Sequence, residues 1–312
     1  MAQLKRLRSQ RALRSLKKSG IRRKGECKMI KRRDFAGLIG LGAAGGAAAL
    51  ALAAPAIAQA SADTGSTFDR VRSTKKLRVA GVPGTEPYYH KDIVAGKWAG
   101  FCVSMAEDLA KALEAEVEIT ETTWGNAVLD LQANKIDIMF GLSPTPARAL
   151  VVEFTRPIMN NTFTLVVRPG VEGKTWEDFN KPEIRVAVDI GSTQDIFARR
   201  ALPNATLVAL KSFDDVALSL LSGRADVSVQ VAMNSLATVK KNDGIGSIVV
   251  PTPISAQPTC AGVRPDPDGR FLRFVDNWLE YNRALGAMKG WIVSSLDLAK
   301  IQPQDIPVSV TF

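Results

Sequence analysis

An eight-residue pattern occurs twice in this chain, 89 residues apart, and it restricts the fold more than any other feature. Leu131-Gln132-Ala133-Asn134-Lys135-Ile136-Asp137-Ile138 lines up with Leu220-Leu221-Ser222-Gly223-Arg224-Ala225-Asp226-Val227. In each copy a helix-like run ends, a base follows, and an Asp leads into an apolar, strand-like run. A duplicated α/β unit implies two similar halves, each with strands and helices alternating along the chain. Ligands of such folds sit between the halves and at the carboxyl ends of strands.

The surrounding residues extend that pattern. Leu77 to Val82 reads as a strand ended by Pro83-Gly84, and Val117 to Thr123 and Ile136 to Phe140 read as further strands. Phe101, Met105, Leu109 and Leu113 recur every fourth residue, which predicts an amphipathic helix over 102–115. A helix is expected from Asn126 to Ala133 and a strand from Ile158 to Arg168. The pattern then restarts. Ile184 to Asp189 echoes the first strand, and Gly191-Ser192-Thr193 opens a helix. Thr175 and Ser212 have the spacing of helix caps, and Gly223 stops a helix. Thr259 to Val263 gives a last strand, Phe271 to Leu279 a helix face, and Trp291, Leu296 and Ile301 a closing segment that packs on the first half.

The formal charge of +10 suggests a nucleic-acid or membrane partner until position is considered. Residues 1–33 hold 14 of the 41 Lys and Arg, and residues 61–312 carry 27 bases against 29 acids. The body of the chain is therefore nearly neutral, and no nucleic-acid partner is expected. The basic segment ends in Lys31-Arg32-Arg33-Asp34-Phe35, followed by a weakly hydrophobic Ala/Gly/Leu run, Leu38 to Ile57, and the small-x-small sequence Ala58-Gln59-Ala60. Residues 1–60 are thus expected to be a leader with a twin-arginine export signal, cleaved near Ala60, with the periplasm as destination. The run is long enough to span a bilayer, but Gly42, Gly45, Gly46 and Pro55 weaken a helix there. A complete signal also begins at Met29, which makes residues 1–28 an extended leader or the product of an upstream start.

Beyond the leader, His90 is the single histidine and Cys102 and Cys260 are the two cysteines. No metal, no cofactor and no catalytic residue is expected from such a set, which lacks a metal-ligand cluster, a nucleotide loop and any Ser-His or Cys-His pair. An oxidising destination allows Cys102 and Cys260 to pair, the alternative being two buried free thiols.

Three stretches carry a family resemblance: Gly100-Phe101-Cys102-Val103-Ser104-Met105-Ala106; Trp124 through Gly141-Leu142-Ser143-Pro144-Thr145-Pro146-Ala147-Arg148 to Val152-Glu153-Phe154-Thr155-Arg156-Pro157; and Val186 to Gln194. Together they resemble the periplasmic solute-binding proteins of ABC importers, in the branch that takes polar amino acids. The resemblance implies an α/β type II periplasmic binding protein fold, a hinged clamp with two crossing segments. Lobe 1 maps to about 70–166 plus 257–312 and lobe 2 to 167–256. It further implies a non-catalytic monomer that binds a small carboxylate-bearing ligand and delivers it to an ABC permease in the inner membrane, after export by the twin-arginine translocase. The same fold hosts cyclohexadienyl dehydratases and ligand-sensing receptors, which are the alternatives.

Carried over by position, Arg148 is the guanidinium that grips the ligand carboxylate, with Ser143 and the backbone at Gly141 beside it. Ser192 and Thr193 present a helix N-terminus to the same anion, although an ordinary cap explains them equally well. Trp124 and Tyr88 would cover the apolar part of the ligand. Members that bind α-amino acids place an Asp where this chain has Val231, so the ammonium partner is missing. Either Glu86, Asp189 or another carboxylate replaces it, or the ligand has a carboxylate and no α-ammonium, which is the reading preferred here; Gln230 and Asn234 offer neutral polar contacts. Glu86 is also the acid that a dehydratase would use. Cys102 stands where the family has an acidic residue, and both cysteines map to lobe 1.

Overall fold

The computed structural model describes residues 65–311; the leader and twin-arginine signal expected over residues 1–60 lie outside them. The chain begins with α1 (Thr67–Thr74), β1 (Lys76–Gly81) and a short hairpin of β2 (His90–Lys91) and β3 (Trp98–Ala99). It continues through α2 (Phe101–Ala112), β4 (Glu116–Glu121), α3 (Ala127–Gln132), β5 (Ile138–Leu142), α4 (Pro146–Ala149), β6 (Glu153–Phe154) and the long β7 (Met159–Val167). The second series is α5 (Trp176–Phe179), β8 (Arg185–Asp189), α6 (Thr193–Ala201), β9 (Thr206–Leu210), α7 (Phe213–Leu221), β10 (Val227–Val231), α8 (Ala232–Lys241) and β11 (Ser247–Val249). Then β12 (Ala256–Val263) leads to α9 (Arg270–Ala284) and α10 (Ala287–Ser294).

The strand order is β4-β1-β5-β12-β7-β10-β8-β9, which reads almost the same from either end. Each side has three parallel strands, β4-β1-β5 and β9-β8-β10, flanked by one antiparallel strand, β12 or β7. Each of those two long strands serves both sides. Residues 159–162 of β7 pair with 256–259 of β12, while 163–167 pair with β10 and 260–263 with β5. The chain therefore passes from one half to the other twice, through strands that hold each other.

The duplicated sequence pattern has a physical counterpart. After α3 the chain turns at Asn134 with φ 55°, and after α7 at Gly223 with φ 73°. These are the left-handed positions beyond a helix end, where Gly and Asn meet the least steric resistance. The Asp that follows ties the incoming strand to its neighbour. Asp137 accepts from the Arg78 backbone N–H at 2.8 Å and from its guanidinium at 2.7 Å. Asp226 does the same with Arg185, at 2.9 and 2.6 Å. The base within the repeat is not the partner. Lys135 pairs with Asp130 near the surface, and the arginine comes from the adjacent strand.

Apolar alternation assigns the faces. In the second half Leu165, Val186 and Val188 enter one core with Phe179, while Val166, Ala187 and Leu220 enter another on the opposite face. The first half buries Leu77, Val79, Phe101, Leu109 and Phe140, and the closing segment adds Leu296 and Ile301. Trp278 and Trp291 stack there at 5.8 Å.

Of the two readings of Cys102 and Cys260, a disulfide or two buried free thiols, the structure shows the second. The Cys102 thiol on α2 is hydrogen-bonded to the Tyr89 side chain, whereas Cys260 on β12 lies in the field of Asp276 on α9. Burial pushes the Cys260 thiol up to about 12, with Asp276 adding to it, so neither thiol supplies a thiolate near neutral pH.

Candidate functional site

The carboxyl ends of the parallel strands of both halves meet at a small cavity. Its walls are Tyr88, Trp124, Gly141, Ser143, Arg148, Thr193, Gln194, Val231, Asn234, Gln257 and Thr259. Seven of the nine residues expected at the ligand site are among them. Ser192 and Glu86 are not.

Arg148 is positioned by a single helical turn. Thr145 caps that turn, its hydroxyl accepting from the Arg148 N–H at 3.3 Å, and Pro146 fits the first helical position because it has no N–H to lose. The guanidinium donates to the carbonyls of Ser143 at 3.1 Å, Trp124 at 3.3 Å and Gly191 at 3.0 Å, so it spans both halves. Arg148 is only 8% exposed, and no carboxylate among the described residues forms a salt bridge with it. Burial lowers its pKa to about 10, which leaves it charged at neutral pH. Carbonyl dipoles satisfy its N–H groups without neutralising the charge.

The aromatic wall depends on a glycine. Gly141 has φ 84°, and a Cβ built there would lie 3.1 Å from both the Trp124 and the Tyr88 rings. Those rings meet edge to face, 6.0 Å between centroids. The Tyr88 hydroxyl accepts from Asn161 Nδ2 at 2.5 Å, which fixes the ring, and burial raises the phenol's pKa.

At α6 the ordinary capping role prevails for Ser192. Its hydroxyl accepts from the Asp195 N–H at 3.2 Å and it is 1% exposed, away from the cavity. The anion at that helix start is the chain's own Asp195, which accepts from the Gly191 N–H at 3.0 Å. Thr193 does reach the cavity. It accepts from Gln257 Nε2 at 2.8 Å and donates to Gln194 Oε1 at 3.1 Å.

Glu86 belongs to a small neighbouring cavity that Gly84, Phe213, Asp214 and Lys241 also line. It pairs with Lys241 and, at 2.7 Å, with His90 Nδ1. Burial alone would raise its pKa, but these bonds outweigh it and hold the carboxyl below its usual range. Val231 lines the main cavity as an apolar residue, and Gln230 is spent on Ser228 and Thr238, at 3.0 Å each. Asp189 is buried behind the α6 start, and burial followed by the charge of Asp195 raises its pKa to about 7.

Sequence reasoning missed Gln194, Gln257 and Thr259. A signal existed for two of them: Gln257 and Thr259 alternate as polar residues in a strand that continues as Cys260-Ala261-Gly262-Val263, and strand polarity at a crossing points to a lined cavity. Among the described residues no group of three or more His, Cys, Asp or Glu is placed to hold a metal ion. Nor is any helix there long and apolar enough to cross a membrane.

The fold and the cavity define a two-lobed α/β clamp of the type II periplasmic binding architecture. The chain belongs to the bacterial extracellular solute-binding proteins, family 3, whose profile matches residues 77–289. It is 27% identical over 245 residues to cyclohexadienyl dehydratase of Pseudomonas aeruginosa, covering 78% of this chain and 89% of that one. It is 28% identical over 204 residues to the L-cystine-binding protein of Escherichia coli, covering 64% and 74%. Among solved structures it is similar to an ancestral amino acid-binding protein described as a precursor of cyclohexadienyl dehydratase, with TM-score 0.65, 29% identity, and coverage of 73% and 100%. A mutant of ArgBP from T. maritima superposes with TM-score 0.67 at 28% identity, covering 74% of this chain and 99% of that one.

Proposed function

We propose that this protein captures a small carboxylate-bearing solute in the periplasm and presents it to an ABC permease. The observation that carries this reading is Arg148: a buried, charged guanidinium on the cavity wall with no carboxylate among the described residues paired to it. A ligand carboxylate completes it with two parallel charge-assisted bonds. The lobes, about 70–166 with 257–312 and 167–256, would close on the ligand about the paired residues 159–162 and 256–259. Similarity to amino-acid-binding relatives supports solute capture, and the twin-arginine signal with its site near Ala60 supports export of the folded chain.

An exported lyase of the cyclohexadienyl dehydratase kind is the second reading, favoured by the match along most of that enzyme's length. It requires a proton donor at the ligand. The cavity lining contains no carboxyl group, and Glu86, the acid expected for such a role, is tied to Lys241 and His90 in the neighbouring cavity. That favours the receptor.

A thermal-shift screen against amino acids, dicarboxylates and aromatic acids tests the proposal, since a ligand that binds the folded state raises its melting temperature by mass action. Carboxylates should stabilise the protein, and Arg148→Ala should abolish the shift. Undiminished binding by Arg148→Ala would remove the basis of the assignment; dehydration of a cyclohexadienyl acid would establish the lyase.

A further inference from the structure

We infer that the preferred solute carries no ammonium group and bears, besides its carboxylate, an uncharged hydrogen-bond acceptor that Asn234 recognises. This rests on the carboxylate reading of Arg148 given above.

The first ground is the charge pattern of the walls. Arg148 is the single ionised side chain on them. A monoanion leaves the closed cavity neutral, whereas an α-amino acid brings in an ammonium that must find an acceptor. An ammonium taken out of water with no carboxylate beside it is strongly disfavoured. Val231 offers it only methyl groups. The nearby acids are committed elsewhere: Asp195 to Arg199 at 2.7 Å and to the Gly191 N–H, Glu86 to Lys241 and His90. Asp189 is the remaining rival, a buried carboxyl whose Oδ1 has no partner but which does not reach the cavity lining.

The second ground is Asn234. It stands in the first turn of α8, is 4% exposed and lines the cavity, and its Nδ2 has no hydrogen-bond partner. Its neighbours are satisfied: Ser235 bonds Thr164 at 2.7 Å, and the Gln230 amide is doubly used. Buried amide N–H groups are rarely left unpaired, and one on a cavity wall marks the place of a ligand acceptor. A hydroxyl, oxo or amide oxygen meets that demand and an ammonium, a pure donor, does not. A site built around such a donor discriminates strongly against ligands that leave it unpaired.

The test is a calorimetric titration of the purified exported protein with matched acids on two skeletons. One set is L-alanine, lactate, pyruvate and propionate; the other is L-phenylalanine, phenyllactate, phenylpyruvate and 3-phenylpropionate. The hydroxy or oxo acid of at least one set should bind about 30-fold or more tightly than the matching amino acid, and about 10-fold more tightly than the bare acid. Asn234→Leu should remove the advantage over the bare acid, and the isosteric Asn234→Asp should shift preference toward the amino acid. An amino acid binding as tightly as its hydroxy and oxo counterparts, with Arg148→Met abolishing it, overturns the inference and leaves the carboxylate reading intact. Loss of that binding in Asp189→Asn would then name the missing acid. Binding that survives Arg148→Met overturns both. A hydroxy-acid preference unchanged in both Asn234 variants, or no binding in either set, also overturns the inference.

Discussion

In the first half of the sheet Asp137 is 1% exposed and holds two arginines, Arg70 and Arg78; in the second, Asp226 is 14% exposed and its partners Arg185 and Arg168 lie 40% and 32% exposed. The same turn, the same Asp and the same backbone bond to the neighbouring strand recur, yet one copy is closed off and the other wet. The halves also divide the ligand's chemistry. The first brings the cation and the aromatic wall, Arg148, Trp124 and Tyr88, on elements packed into the larger core. The second brings neutral polar groups, Thr193, Gln194 and Asn234, at helix starts. The shared pattern accounts for what holds each sheet together, while the cavity is where the two halves differ.

The largest expected effect tests the first contrast. Asp137→Ala leaves two arginines without their buried anion and should cost about 3–5 kcal/mol in urea unfolding. Asp226→Ala, whose partners are solvated, should cost on the order of 1 kcal/mol. Equal losses would mean that the difference in burial has no energetic meaning.

The next concerns Asp189, which has no acidic counterpart in the first half, where Val82 stands at the equivalent place. Its folded-state pKa of about 7 is above the ordinary 3.8, so the folded protein holds that proton more tightly than the unfolded chain. The resulting stability is complete below about pH 4 and is lost as pH rises toward 7. Asp189→Asn should therefore be more stable than wild type at pH 8, on the order of 2 kcal/mol, and no different at pH 4. A constant difference across that range would show that the carboxyl is ionised in the folded state.

Smaller still is the contact between the halves at Gly125 and Gly191. Gly191 has φ 74°, and a Cβ built there would lie 3.0 Å from the Gly125 Cα. Gly191→Ala should lower ligand affinity about 10-fold, with a stability loss of about 1 kcal/mol. Gly170→Ala, also at positive φ but with nothing near its Cβ, should show a similar stability loss and no affinity change. A fall in affinity for both would assign the effect to backbone strain and not to closure.

Much of the frame was legible because it depends on local rules. The capping box at Thr175 and Asp178, the Ser212 cap and the left-handed Gly223 are short-range devices with recognisable spacing. Others left no such trace. In α8, Ala232 through Thr238 are all buried, so no polar face marks its period, and β9 shows no alternation. Ile136 read as a strand start, but the bonds of Asp137 delay β5 to Ile138. At the site, Arg148, Trp124 and Ser143 followed from position alone. Glu86 did not: its partner Lys241 is 155 residues away, and only the folded chain shows that the acid turns from the cavity to that lysine. Ser192 was readable as a cap and as a ligand contact at once, and the structure shows the cap.

The role of Arg148 is most directly measured by titrating the protein, at pH 7, with the tightest-binding acid and with its primary amide, which keeps the shape and removes the charge. The acid should bind at least about 100-fold more tightly in wild type, and Arg148→Met should reduce the ratio to near one. Equal affinities for acid and amide in wild type would contradict a cavity built to take a carboxylate.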